Sequence, residues 1–138
     1  MPEGIPYASS NVVAGAGLEL NYVGNHVYGY SGGLAASSTA QTALNFTTGN
    51  EVIVGEIQYN VPVRFLNDGT GKSGVCQINL NSIVIAQLSG DNASRDAPTT
   101  ETMKIIIPPY TVVEINVISA ANDVNHLCSV SLVGRIHK

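Results

Sequence analysis

Two short runs hold residue types that could do chemistry. Gly29-Tyr30-Ser31-Gly32-Gly33 fits the G-x-S-x-G spacing of a nucleophile elbow, in which a strand-to-helix turn raises a serine beside an oxyanion hole and a later histidine. Gly69-Thr70-Gly71-Lys72-Ser73 resembles the end of a phosphate-binding loop, G-x-x-x-x-G-K-[ST]. Both lack the surroundings their chemistry needs. After Gly33 the residues LAASSTAQTA could at most open a short helix, and no parallel α/β pattern is visible. In the second run the place of the first glycine is taken by Leu66, and Val75 to Leu80 alternates as a strand, so no helix N-terminus follows to hold an anion. Both runs read as glycine-rich turns.

The remaining reactive types are scattered. His26, His126 and His137 have no Cys, His or carboxylate partner at metal-ligand spacing. His26 falls in period with tyrosines, which predicts a packed imidazole, while His126 and His137 read as solvent-facing or terminal. Asp91, Asp96 and Glu101 share a polar stretch without the ligand spacing of a calcium loop, and read as a solvated acidic loop. Cys76 alternates with Ile78 and Leu80, and Cys128 with Val130 and Leu132, so each is expected as a buried free thiol acting as a small hydrophobe. No catalytic residue, metal or cofactor is expected.

Charge narrows the choice of partner. The first 63 residues contain no Lys or Arg, and the 138-residue chain has a formal charge of −4. Binding dominated by phosphates needs clustered cations to displace counterions, so nucleic acid is not an expected partner. Only 12% of residues are charged against 44% hydrophobic. The surface must therefore be largely Ser, Thr, Asn, Gln and backbone, which suits contact with protein or sugar. The opening MPEGIPYASSNVV lacks the basic and apolar regions of a secretory signal, and no apolar stretch approaches the roughly 20 residues that cross a bilayer. A soluble protein made in the cytosol, with no membrane contact, is expected.

Period-two alternation dominates the organisation, as in an extended chain whose successive side chains point to opposite faces. Leu18 to Tyr30 reads as one ribbon with Leu18, Leu20, Tyr22, His26, Tyr28 and Tyr30 on a shared inward face and Gly24 as a bulge or bend. Leu44 to Phe46 follows as a short strand. Glu51 to Val63 is long, with Ile53, Ile57, Tyr59, Val61 and Val63 on one side. Val75 to Leu80 and Ile83 to Leu88 flank Asn81-Ser82, a two-residue hairpin turn. Ser89 to Thr102 reads as a long loop. Lys104 to Ile107, Thr111 to Ile118 and Cys128 to Ile136 complete the set, with Val113, Ile115 and Val117 inward.

Many short strands without intervening helices predict an all-β fold, an antiparallel β-sandwich of jelly-roll type. Residues 1–17 have no ladder pattern and are expected as an extended N-terminal arm that lies on a neighbour. Residues 18–138 form a single β-sandwich domain, a length sufficient for one self-sufficient core.

Three stretches carry a resemblance to a family: MPEGIPYASSNVVAGAGLELNYVGNHVYGYSG at the start, TTETMKIIIPPYTVVEI from Thr99 to Ile115, and SVSLVGRI from Ser129 to Ile136. Together they resemble the small virion structural proteins encoded beside capsid genes in marine tailed bacteriophages. The resemblance implies a β-sandwich that decorates or cements the outside of an icosahedral head, commonly as a homotrimer bound to the major capsid protein. The expected partner contacts are Ile5, Pro6, Tyr7, Val12 and Val13 of the arm, with Asp91, Asn92, Arg95 and Asp96 of the loop. The competing expectation is a receptor- or glycan-binding module of a head or tail fibre, for which exposed tyrosines would supply the platform.

Overall fold

Ten strands and no helix make up residues 20–61, 73–91, 99–119 and 123–137, the part of the chain that the computed structural model describes. They are β1 (Asn21–Val23), β2 (His26–Tyr30), β3 (Leu34–Ala36), β4 (Gln41–Thr47), β5 (Val52–Val61), β6 (Ser73–Leu80), β7 (Ile83–Asp91), β8 (Thr99–Ile107), β9 (Val112–Ser119) and β10 (Asp123–His137). One sheet has the order β1-β2-β10-β5-β8, with β3 also on β10; the other has the order β4-β9-β6-β7. Every ladder is antiparallel. The protein is an all-β antiparallel sandwich, as the alternation predicts.

The topology follows from one hairpin. Asn81 and Ser82 both take positive φ (51° and 67°), the backbone of a tight turn whose twist matches the flanking strands, and they join β6 to β7. Moving outward from this tip, β5 pairs β8, β4 pairs β9, and β3 pairs β10. The chain from β3 to β10 is thus a single nested hairpin. It rolls up so that β10 also meets β5 and β9 also meets β6, which closes the two sheets over a common core.

That core is aliphatic and comes from the alternating positions. Ile53, Ile57, Tyr59 and Val61 of β5 face Cys76 and Ile78 of β6 and Val113, Ile115 and Val117 of β9, with Cys128, Val130 and Leu132 from β10. Both cysteines are free and buried. Within the larger sheet, one cross-strand pair has no side chains at all. Gly55 and Gly134 are opposite each other across β5 and β10, and a Cβ on Gly55 would meet the Val133 carbonyl at 2.6 Å.

The first ribbon departs from expectation. Gly24 (φ 61°) and Asn25 form a two-residue hairpin turn rather than a bulge, and Val23 faces His26 across it. A turn of two residues makes Tyr22 the neighbour of Val27, so the inward set passes from even to odd numbers. Leu20 and Val27 are buried, whereas His26, Tyr28 and Tyr30 are exposed on the outer face. The packed-imidazole expectation for His26 is therefore corrected. So is the possible short helix after Gly33, because Leu34–Ala36 is a strand on β10. The long loop is shorter than expected, since β7 runs to Asp91 and β8 starts at Thr99.

One side chain and one backbone bond lock the turns. Thr48 Oγ1 donates to the Pro108 carbonyl at 2.8 Å and accepts from the Thr111 N–H at 2.8 Å, tying the β4–β5 connection to the β8–β9 turn. The Tyr110 N–H donates to the Gly49 carbonyl at 2.8 Å. This clamp holds Tyr110 at a φ of 55°, a region that a residue with a Cβ rarely adopts, with its ring 72% exposed at the end of the sandwich.

Candidate protein-binding surface

The residues singled out for chemistry are used structurally. Ser31 is buried, its hydroxyl donates to the Gly32 carbonyl at 2.8 Å and accepts from the Val130 N–H at 2.9 Å, and its own N–H donates to the Val130 carbonyl. That oxygen fastens the end of β2 to β10, and Gly32 (φ 74°) turns the chain away into β3. Of the phosphate-loop-like run, Gly69 to Lys72 lies outside the described residues, and Ser73 opens β6. Among the described residues no group of three His, Cys, Asp or Glu side chains could hold a metal ion. Burial pushes the Cys76 thiol up to about 12, with the neighbouring Cys128 adding to the shift, and burial raises Cys128 and Tyr59 as well. Protonated, buried thiols are poor nucleophiles.

What the fold does present is surface. Strand register sets out the outer face of the β1-β2-β10-β5-β8 sheet in rows across the strands. One row runs Asn21, Tyr28, Val133, Glu56, Lys104; the next runs Val23, His26, Arg135, Val54, Ile106. A third runs Tyr30, Ser131, Gln58, Thr102. Val23, Tyr28, Tyr30, Val54, Ile106 and Val133 are all exposed, Ile106 at 66% and Tyr30 at 57%. A sheet face with one side in water normally alternates apolar-in and polar-out. Here aromatic and β-branched side chains appear on both sides of the sheet, broken by single charges. Apolar patches of this kind rimmed by polar groups mark contact sites.

A second surface belongs to β7. It ends the β4-β9-β6-β7 order, and Ile83, Val84 and Ile85 are exposed along it. Next to it on the outer face of the same sheet is a groove of about 310 Å³, lined by Ala40, Val75 and Ile118 and rimmed by the amides of Gln77, Gln87 and Asn116.

Of the contacts expected from sequence, Ile5, Pro6, Tyr7, Val12, Val13, Asn92, Arg95 and Asp96 lie outside the described residues. Asp91 closes β7, its backbone opposite Ser73. The outer-face tyrosines were missed as surface because the ribbon parity was carried through Gly24-Asn25. The dipeptide itself is a hairpin signal that could have shown the reversal.

No protein-family model matches the chain, and no curated protein matches it.

Proposed function

We propose that this chain is a structural protein of a virus particle: a decoration or cement protein that binds the outer surface of a tailed-bacteriophage head, contacts the major capsid protein and stabilises the shell. The nested hairpin rolled into two sheets is read as a jelly roll, and the bound form as a homotrimer. The observation that carries this reading is the outer face of the larger sheet, where Tyr28, Val133, Val54 and Ile106 stand exposed in adjoining rows. Covering such a face removes apolar area from water at about 25 cal/mol per Å², and a protein that binds only the assembled shell stabilises it by mass action. The low charge density removes a repulsive barrier to close packing on a large surface. A density map of phage particles carrying this chain tests the proposal. Sandwich-shaped density on the head exterior is expected; density confined to the tail or the head interior would reject it.

The exposure of Tyr28 and Tyr30 favours one second reading. Two residues apart on β2, their rings project from the same face roughly 7 Å from each other, beside Ser131 and Gln58. Aromatic faces flanked by hydroxyl and amide groups can stack on and hydrogen-bond a sugar. Glycan-array binding that is lost on Tyr30→Ala would establish this receptor-binding role, and an empty array would remove it.

A further inference from the structure

We propose that β7 is completed in the assembled protein by the N-terminal arm of a neighbouring copy, which adds a fifth strand to the β4-β9-β6-β7 sheet and links copies head to tail. This inference rests on the reading of the chain as an assembly protein and supplies the contact that holds its copies together.

The edge itself argues for a cover. An edge strand offers a row of unpaired N–H and C=O groups, and proteins blunt such edges with charges, proline, short length or bulges. Among the described residues the other edges are treated this way: β8 carries Glu101 and Lys104, β1 and β3 have three residues each, and β4 bears polar Asn45 and Thr47 and a register shift between Thr42 and Leu44. From Ile83 to Ser89, β7 has neither charge nor proline, and Ile83 is 66% exposed. A bulge at Ile85, opposite Ile78 and Asn79, twists this edge locally but adds no charge to it.

The geometry and the sequence name the occupant. The described chain enters through Leu20 into β1, the outermost strand of the larger sheet, on the side where β2 and β10 pack near β4. β7 packs beside β8, at the opposite side of the sandwich. Five strands at about 4.8 Å spacing make the sheet roughly 20 Å wide. The 19 residues before Leu20 could span roughly 60 Å when extended. An arm leaving the β1 side of one copy therefore reaches the β7 side of the next. Repetition of this heterologous contact gives a ring where the rotation between copies closes and an open chain of copies where it does not.

Residues 4–18 carry no charge, so laying them on β7 buries none, and Val12-Val13 supplies the β-branched pair that strands favour. Strand addition takes its affinity from backbone hydrogen bonds and its selectivity from side-chain pockets. Ile83, Val84 and Ile85, all exposed along β7, supply the apolar contacts beside the added strand.

Three forms of the protein test this by light scattering after size exclusion: the full chain, a deletion of residues 2–17, and Val84→Lys/Ile85→Lys. The proposal expects a full-length oligomer, with both variants monomeric and associating about a hundredfold more weakly while keeping the wild-type circular dichroism. Mixing the variants must then produce a heterodimer, because one retains the edge and the other the arm. A monomeric full-length chain overturns the inference, as does an arm-deleted chain that stays oligomeric through β7–β7 pairing, or a mixture that gives no complex. Occupancy on phage heads separates the two readings: an arm-to-edge oligomer that never binds heads overturns the decoration role alone, and a monomer that decorates heads overturns the arm contact alone.

Discussion

The hydroxyl of Tyr59 occupies the space where a side chain on Gly74 would begin. Tyr59 belongs to β5 and Gly74 to β6, so this one contact spans the sandwich and fixes the distance between the two sheets. Gly74→Ala should drive the new methyl into the Tyr59 hydroxyl and destabilise by about 1–3 kcal/mol. Tyr59→Phe in the same chain removes the offending oxygen and should recover most of the loss. Urea midpoints of the two single variants and the double variant give the coupling; additive losses would contradict the contact.

Gly134 poses a harder constraint. A Cβ there would meet the Val54 carbonyl oxygen at 2.9 Å and the Cα of Gly55 at 3.1 Å, and backbone cannot swing aside as a side chain can. Gly134→Ala should therefore part the β5–β10 ladder at its centre and cost about 3 kcal/mol or more. No neighbouring side-chain truncation should rescue it, which distinguishes this site from Gly74 in the same denaturation assay.

The Thr48 clamp predicts a difference between two conservative changes. Thr48→Val keeps the shape but leaves the Thr111 N–H and the Pro108 carbonyl without the hydroxyl, and should cost about 1–3 kcal/mol. Thr48→Ser retains the oxygen and should cost less. Amide hydrogen exchange at Thr111 reports the same event locally, with faster exchange expected in the valine variant only.

Much of this fold is legible in the sequence where β-branched residues alternate without interruption. Ile53, Ile57, Tyr59 and Val61, or Val113, Ile115 and Val117, show their buried face directly, and Asn81-Ser82 marks the hairpin that organises the rest. Legibility fails where a local turn competes with a run of alternation. Gly24-Asn25 reverses the chain and hands the inward face from Tyr22 to Val27, so Tyr28 and Tyr30 are read on the wrong side. Leu34–Ala36 is hidden for another reason: none of its three residues is β-branched or aromatic, so the run has little strand preference of its own, and it pairs along β10, far away in sequence. The exposed apolar face of the larger sheet depends on register between β2, β10, β5 and β8, strands far apart in sequence, which no single run can show.

The buried thiols set a pH dependence. At pH 7 both are protonated in the folded and unfolded chain, so stability there is insensitive to them. An unfolded cysteine releases its proton near 9.0, while folded Cys76 retains it to about 12. Between those values the unfolded state holds fewer protons, and stability falls as pH rises, by about 1 kcal/mol per pH unit for this thiol. Urea midpoints measured from pH 7 to 11 should be level at first and then drop above about pH 9, with a shallower drop in Cys76→Ala. A midpoint that rises above pH 9 would contradict the burial.

Whether the outer face of the larger sheet is the contact that places this protein on a shell is measured by rebinding to phage heads stripped of it. Wild-type protein should bind to saturation. Tyr28→Glu/Val133→Lys turns two exposed side chains that face each other across β2 and β10 into an opposite-charge pair, so it should keep the wild-type urea midpoint and yet leave the heads bare. Equal saturation by the folded double variant would contradict the account.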